Sequence, residues 1–176
     1  QALNQLSRDR LVTLEPARGA FVAMPSVEEA HQVFELRQMI EGAMAKRLCA
    51  TISDRQIAEL RAHLKAEQAA VAQTDVPGRT HLLADFHIVL ARMMGNQVLA
   101  QLLGDLLSRS SLISLMYQST HSAEASLAEH VAIVDALEKR DARAAVRLTE
   151  DHLDHVERNL PFDPRSPDLA HVLNFE

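Results

Sequence analysis

The sequence holds one cysteine, Cys49, no tryptophan, and only 3% aromatic residues in 176 positions. A single cysteine excludes an internal disulfide framework and a cysteine-built zinc cluster, and it fits a reducing compartment such as the cytoplasm. Cys49 itself reads as a small core hydrophobe. The five glycines and six prolines fall mostly outside the periodic stretches, which argues against a turn-rich sandwich or barrel. No apolar run approaches the roughly 20 residues of a membrane span, and the polar residues 1–6 contain no apolar segment of a signal peptide. Gly-rich phosphate loops, nucleophile elbows, the Glu-x-x-His pairs of di-iron bundles and the His-Glu-x-x-His zinc-protease helix are missing as well. Positive charge is short too: the net charge of -6 gives no sign of nucleic-acid binding by the chain as a whole, although it does not exclude a basic module beyond one end. The first residue is Gln1 rather than methionine, and we expect the chain to begin inside a longer protein.

What is present is a 47% hydrophobic composition built from Leu, Ala, Val, Ile and Met, enough to bury the core of one domain of packed helices. Residues 1–24 differ from the rest. Ala2, Leu3 and Leu6 fit the last turns of a helix. Leu11-Val12-Thr13-Leu14, a turn over residues 16–19, and Ala20-Phe21-Val22-Ala23 fit a short β-hairpin. Two strands without a third are marginal alone, so the segment is either a leader without structure of its own or the severed end of a winged-helix domain.

From Pro25 onward, capping signals divide the chain into helices. Ser26 with Glu29 starts one that runs to about Ala50 and buries Ala30, Val33, Phe34, Ile40, Met44 and Leu48. Arg37 falls inside that stripe and needs a partner. Glu41, one turn on, can supply it as an i, i+4 pair; alternatively the guanidinium awaits a ligand carboxylate, which its fork can hold bidentately. Ser53 with Gln56 starts a second helix with Ile57, Leu60, Leu64 and Val71 on one side, and Arg55, Glu59, Arg61, Lys65 and Glu67 as a solvated face. After a loop over residues 74–78, a central helix from Arg79 to Met94 ends at Gly95, and Asn96 caps the next, from Gln97 to about Gln118. That helix is apolar around much of its circumference, and its polar residues 108–111 mark either a bend or a cavity. Ser126 with Glu129 is expected to cap a fifth helix, Asp141 a sixth, and Pro161 to stop it. The tail, residues 162–176, is a surface strap or disordered.

Neutral imidazole ligates zinc, nickel, copper and iron, so a metal site asks for histidines converging from different elements. His87, His130 and His152 qualify, since each is one helical turn from apolar positions and should point inward. The plainer alternative is three hydrogen-bonded core histidines. His155, one turn after His152, is a possible extra ligand. His31, His63, His81, His121 and His171 look exposed or irregularly placed and receive no role.

Several stretches then occur in a telling order: Leu11-Val12 through Arg18-Gly19-Ala20-Phe21-Val22; Glu35-Leu36-Arg37 through Ile40-Glu41; Phe86-His87 with Leu90-Ala91 and Gly95-Asn96; Glu129-His130 with Ile133; and His152-Leu153. Covering nearly all of the chain to about Leu160, they resemble the GntR family of bacterial transcription regulators, in the subgroup with the all-helical FCD effector domain. The resemblance implies an all-α architecture, an antiparallel bundle of about six or seven helices around a ligand cavity over residues 25–161. Residues 1–24 would be the remnant of a winged helix, with Arg18 and Gly19 at the DNA-contacting wing tip and most of the helix-turn-helix outside the chain. It further implies a divalent metal, zinc or nickel, on His87, His130 and His152, a small organic acid between that metal and Arg37, a homodimer, and operator DNA as the partner. One position departs from the pattern. Many metal-binding members carry an aspartate four residues before the first histidine, where this chain has Leu83; Asp85 is nearby but about 200° around a regular helix. Either three histidines suffice with solvent or effector oxygens, or affinity for metal is reduced, or the cavity works without metal.

The expected function is therefore that of a cytoplasmic, ligand-responsive regulator and not an enzyme. The rival is a metal-dependent hydrolase or lyase, because three histidines and an open position also describe a catalytic zinc. It would need a general base, and Asp85, Glu129 and Asp151, the acids next to the ligands in sequence, are expected to point elsewhere.

Overall fold

A computed structural model describes residues 2–73, 76–117, 119 and 122–162, with side chains omitted at 76–80. Among them are seven helices and one two-stranded sheet. Helix α1 (Ala2–Arg8) leads into a hairpin of β1 (Val12–Glu15) and β2 (Gly19–Val22), paired antiparallel from Val12 opposite Val22 to Glu15 opposite Gly19. The turn is closed by Ala17 and Gly19 at positive φ, +61° and +108°, and by an ion pair of Arg18 with Glu15. None of α1 is buried and all of β2 is exposed, so this unit has no core of its own.

The bundle begins with α2 (Val27–Thr51), whose N-cap Ser26 accepts from the Glu29 amide. The other half of the expected capping box is not made, because the Glu29 carboxylate instead pairs with Arg109. Helix α3 (Asp54–Val71) starts with a complete Ser53–Gln56 capping box. Its charged face needs a correction: Glu67 is fully buried. Helix α4 spans Val76–Met93 and so starts before Pro77; the expected loop over residues 74–78 survives at most at Thr74 and Asp75, which lie outside the described residues. Proline is tolerated in a first turn, where its missing N–H has no intrahelical acceptor. Gly95, at φ +70°, ends α4.

Helix α5 (Gln97–Met116) is capped by Asn96, runs unbroken through residues 108–111, and buries seven side chains from Ala100 to Met116. By length and composition alone it could cross a membrane, but Asp105 and Arg109 lie on it and seven of its side chains are buried in the bundle. Helix α6 (Ala123–Glu138) begins one turn earlier than expected, with Ser122 rather than Ser126 as its cap. Arg140 at φ +58° turns the chain, and Asp141 caps α7 (Ala142–Arg158).

Helices α2 and α7 run together along the bundle. At Gly42 of α2 a Cβ would sit 3.1 Å from the Glu150 carboxylate of α7. Met44, Leu48, Leu60, Phe86, Leu103, Ile133 and Leu137 form the main core. A second cluster of Val33, Phe34, Ile113, Met116 and Leu160 closes one end, where the Tyr117 hydroxyl donates to the Pro25 carbonyl at 2.9 Å. Phe162 packs against Tyr117 at 5.4 Å between ring centroids; the remainder of the expected tail lies outside the described residues. Six helices, α2 to α7, thus contribute to the interior in which His87, His130 and His152 are buried.

Candidate metal centre

His87 on α4, His130 on α6 and His152 on α7 are all buried and offer ligand atoms within 4.8 Å of one another. Their ring centroids are 5.2 Å (His87–His130), 5.2 Å (His87–His152) and 4.8 Å (His130–His152) apart. Phe86, in the same core, stacks on the His130 ring at 4.0 Å. The inward-facing spacing read from the sequence brings all three together.

What the sequence did not reveal is the layer behind them. Nδ1 of His87 meets Glu41 Oε2 at 2.5 Å, Nδ1 of His130 meets Glu67 Oε2 at 3.1 Å, and Nδ1 of His152 meets Glu129 Oε2 at 2.6 Å. Each imidazole is thus backed by its own carboxylate, from α2, α3 and α6 respectively. Burial depresses the pKa of all three rings, to about 4 for His130 and for His152. Burial works to raise Glu41, but Arg37 and His87 overcome it and hold the carboxyl below the usual range; hydrogen bonds from His130 and His63 do the same for Glu67 against its burial.

A neutral ring facing an ionised carboxylate carries its proton on Nδ1 and donates it, which leaves the lone pair on Nε2. Backing of this kind fixes the ligating tautomer and raises the basicity of the ligand nitrogen. Nε2 of His130 is buried with no hydrogen-bond partner among the described residues. Buried polar atoms are normally satisfied, and a lone pair aimed into a cluster of three imidazoles suits a divalent transition metal. The residues present fit such an ion.

Arg37 lies beside this centre, 4% exposed. Its Nε donates to Glu41 Oε1 at 2.8 Å and its Nη1 to Ser110 Oγ at 2.9 Å, while Nη2 is buried without a partner among the described residues. Ser110 is the member of the polar stretch in α5 that turns inward. Glu41 therefore holds Arg37 with one oxygen and His87 with the other.

The remaining candidates separate clearly. His155 is half-exposed and bonded through Nδ1 to the second oxygen of Glu129 at 2.7 Å, outside the three-histidine cluster. His63, given no role in the sequence, is largely buried and contacts Glu67 at 3.1 Å and the Leu82 carbonyl at 3.1 Å. His31 pairs with Glu157 and His81 faces Asp85, both exposed; His121 and His171 lie outside the described residues. Asp85 and Asp151 engage His81 and Arg147, respectively, but Glu129, expected to point elsewhere, sits on His152. A signal for Glu67 was available: Leu60, Leu64 and Glu67 follow one another at steps of four and three, which is a single helix face. Arg18 lies in the hairpin turn and Gly19 opens β2. Among surface grooves, one of about 460 Å³ lined by Asp54, Ile57, Arg61, Lys65, Glu138 and Arg140 lies away from the histidines.

Residues 32–155 match the family model of the FCD domain. The chain is 25% identical over 161 residues to the HTH-type transcriptional repressor RspR of Escherichia coli K12, spanning 91% of this chain and 71% of that protein. In fold it is similar to a GntR-type putative transcriptional regulator from Rhodococcus sp. RHA1, with a TM-score of 0.76 and 24% identity over 93% of this chain and 79% of that one. It is also similar to E. coli McbR/YncC, with a TM-score of 0.75 and 16% identity over 87% and 78% of the two chains.

Proposed function

This chain belongs to the FCD-domain group of GntR-type transcriptional regulators, which are not enzymes, and on that basis we propose that it senses a small organic acid at a metal held by His87, His130 and His152. Residues 25–161 form the effector-binding and dimerising domain in this reading. Residues 1–24 are the end of a winged helix whose hairpin presents Arg18 and Gly19 to operator DNA, and residues 162–176 are a tail.

The observation that carries the reading is the orphaned Nε2 of His130, placed among three neutral imidazoles that are each fixed by a carboxylate. A divalent ion bound there, zinc or nickel by ligand type, supplies positions at which an acid oxygen replaces water. Arg37 supports the second half of the reading. Glu41 and Ser110 hold the guanidinium in place, and its unpartnered Nη2 offers a charge-assisted hydrogen bond to a carboxylate. The departure at Leu83 removes one protein oxygen from the ligand set and leaves more positions for solvent or effector.

Regulation follows as a population shift. An acid bound across the centre and Arg37 joins α2, which carries Arg37, to α4, α6 and α7, which carry the histidines. An arrangement of the dimer in which those helices suit the ligand gains occupancy, and the spacing of the two DNA-binding units changes with it. The work takes place in the cytoplasm, where operator DNA is.

Elemental analysis of protein purified without a metal-affinity tag, beside His87→Ala, His130→Ala and His152→Ala, tests the site. Near-stoichiometric metal in the wild type and its loss in all three variants is the expected result, after which organic acids are screened by thermal stabilisation. Wild-type protein that takes up no zinc, nickel or manganese overturns the metal and leaves Arg37 alone as the candidate effector contact.

A further inference from the structure

We propose that Glu41 couples the two halves of the site, so that cation occupancy at the histidines raises the readiness of Arg37 for an anion. The inference rests on the metal reading above and adds to it a positioning role for a residue that touches neither ligand.

The geometry is a relay through one carboxylate. Oε1 accepts from Arg37 Nε at 2.8 Å and Oε2 faces His87 Nδ1 at 2.5 Å. All three side chains are at most 4% exposed, so the carboxylate is shielded from bulk solvent and its charge is shared between these two donors. In a buried, low-dielectric setting, neighbouring hydrogen bonds polarise one another. His87, when its inner nitrogen holds a cation, becomes more acidic at Nδ1–H and draws the charge of Glu41 toward Oε2. Arg37 Nε then faces a weaker acceptor. The guanidinium keeps more of its positive potential for Nη2, the donor with no partner among the described residues. Ser110 accepts from Nη1 at 2.9 Å, a second anchor for the guanidinium that does not involve Glu41.

A glutamine at position 41 breaks the relay without changing its shape. Its amide has one acceptor, and the permanently charged Arg37 takes it. The NH₂ group then faces Nδ1 of His87, which must accept and therefore carries its proton on Nε2, the tautomer that cannot ligate.

Zinc alone is the probe, with binding followed by competition against a chromophoric chelator. Glu41→Gln should lower zinc affinity about 10- to 100-fold, as is usual for outer-layer partners of ligating histidines, while the metal-free protein keeps its helical circular dichroism. Arg37→Met should raise zinc affinity in the wild-type background by returning the whole of Glu41 to His87, and the gain should shrink in Glu41→Gln, the surplus being the coupling. Equal zinc affinity in wild type and Glu41→Gln, or an Arg37→Met effect of the same size in both backgrounds, overturns the coupling while leaving the metal site standing. Loss of zinc binding in the wild type overturns both. Should Glu41→Gln fail to fold, nitrogen-15 NMR of the wild type decides. Zinc should shift the Arg37 Nε–H resonance together with the His87 ring, and an Arg37 signal that stays fixed while His87 moves overturns the proposal.

Discussion

Glu67 Oε2 lies 3.1 Å from Nδ1 of His130, and neither side chain is more than 1% exposed. A buried carboxylate of this kind is stable only with its partners, and His63 is the second of them at 3.1 Å. Glu67→Ala strands both rings. The expected cost is about 2–3 kcal/mol in the metal-free protein, typical of a lost hydrogen bond to a buried charge, read as a lower urea midpoint with unchanged slope. Zinc affinity should fall about 10- to 100-fold in the same variant. An unchanged midpoint would show that Glu67 contributes nothing beyond filling space.

Acid should weaken the metal-free protein earlier than carboxylate titration alone would. His87, His130 and His152 have pKa values lowered by burial, the latter two to about 4, against about 6.5 unfolded. The unfolded chain therefore takes up their protons first. The stability tied to these rings is whole above about pH 6.5 and is lost as pH falls through 6.5 toward 4. His63 runs the other way, because its hydrogen bond to Glu67 raises its pKa and its contribution fades as pH rises through that value. Three rings against one set the net direction. Thermal melts of chelator-treated protein from pH 7.5 to 4.5 should show Tm falling from about pH 6.5; a flat profile down to pH 5 would mean that the rings are not buried neutral.

The helices and the convergence of the three histidines were legible in the sequence because both follow from short-range spacing. Ser53 with Gln56, Asn96, Gly95 and Asp141 mark ends that the structure keeps, and the three histidines lie on apolar faces that can only turn inward. Side chains whose partners come from another helix were not legible. Ser126 with Glu129 reads as a capping box for α6, yet α6 begins a turn earlier at Ser122, which moves Glu129 into the second turn and onto His152. Glu41 was visible as a partner of Arg37 at i, i+4 but not of His87, 46 positions away in the chain. Glu67 was grouped with charged neighbours although it shares the Leu60–Leu64 face. In each case a local explanation was complete in itself and concealed a tertiary one.

Two glycines should respond to the same substitution with opposite signs. Gly95 has φ +70° and Gly104 lies within α5, and neither would bring a Cβ within 4 Å of another group. Sterics are therefore equal and backbone conformation decides. Gly95→Ala forces a left-handed residue that only glycine adopts freely, at a cost of about 1–2 kcal/mol. Gly104→Ala removes unfolded-state freedom from a helix interior and should gain about 0.5–1 kcal/mol. Paired thermal melts check both, and a destabilised Gly104→Ala would point to a close approach at that face in the assembled protein.

Leu83→Asp separates the two roles of the departing position. Leu83 lies one turn before His87 on the same face of α4 and is half-buried, so its side chain contributes apolar contact and no charge. An aspartate there should lower metal-free stability by about 1–2 kcal/mol through lost packing and partial burial of a carboxylate. A carboxylate within reach of a divalent ion should at the same time tighten zinc binding on the order of tenfold, equivalent to about 1.4 kcal/mol. The two effects oppose each other, so Tm without metal should fall while the zinc-induced rise in Tm grows. A variant that is destabilised without any gain in zinc affinity would mean that position 83 does not reach the centre, and that the three histidines with their backing carboxylates form the whole of the protein's contribution to it.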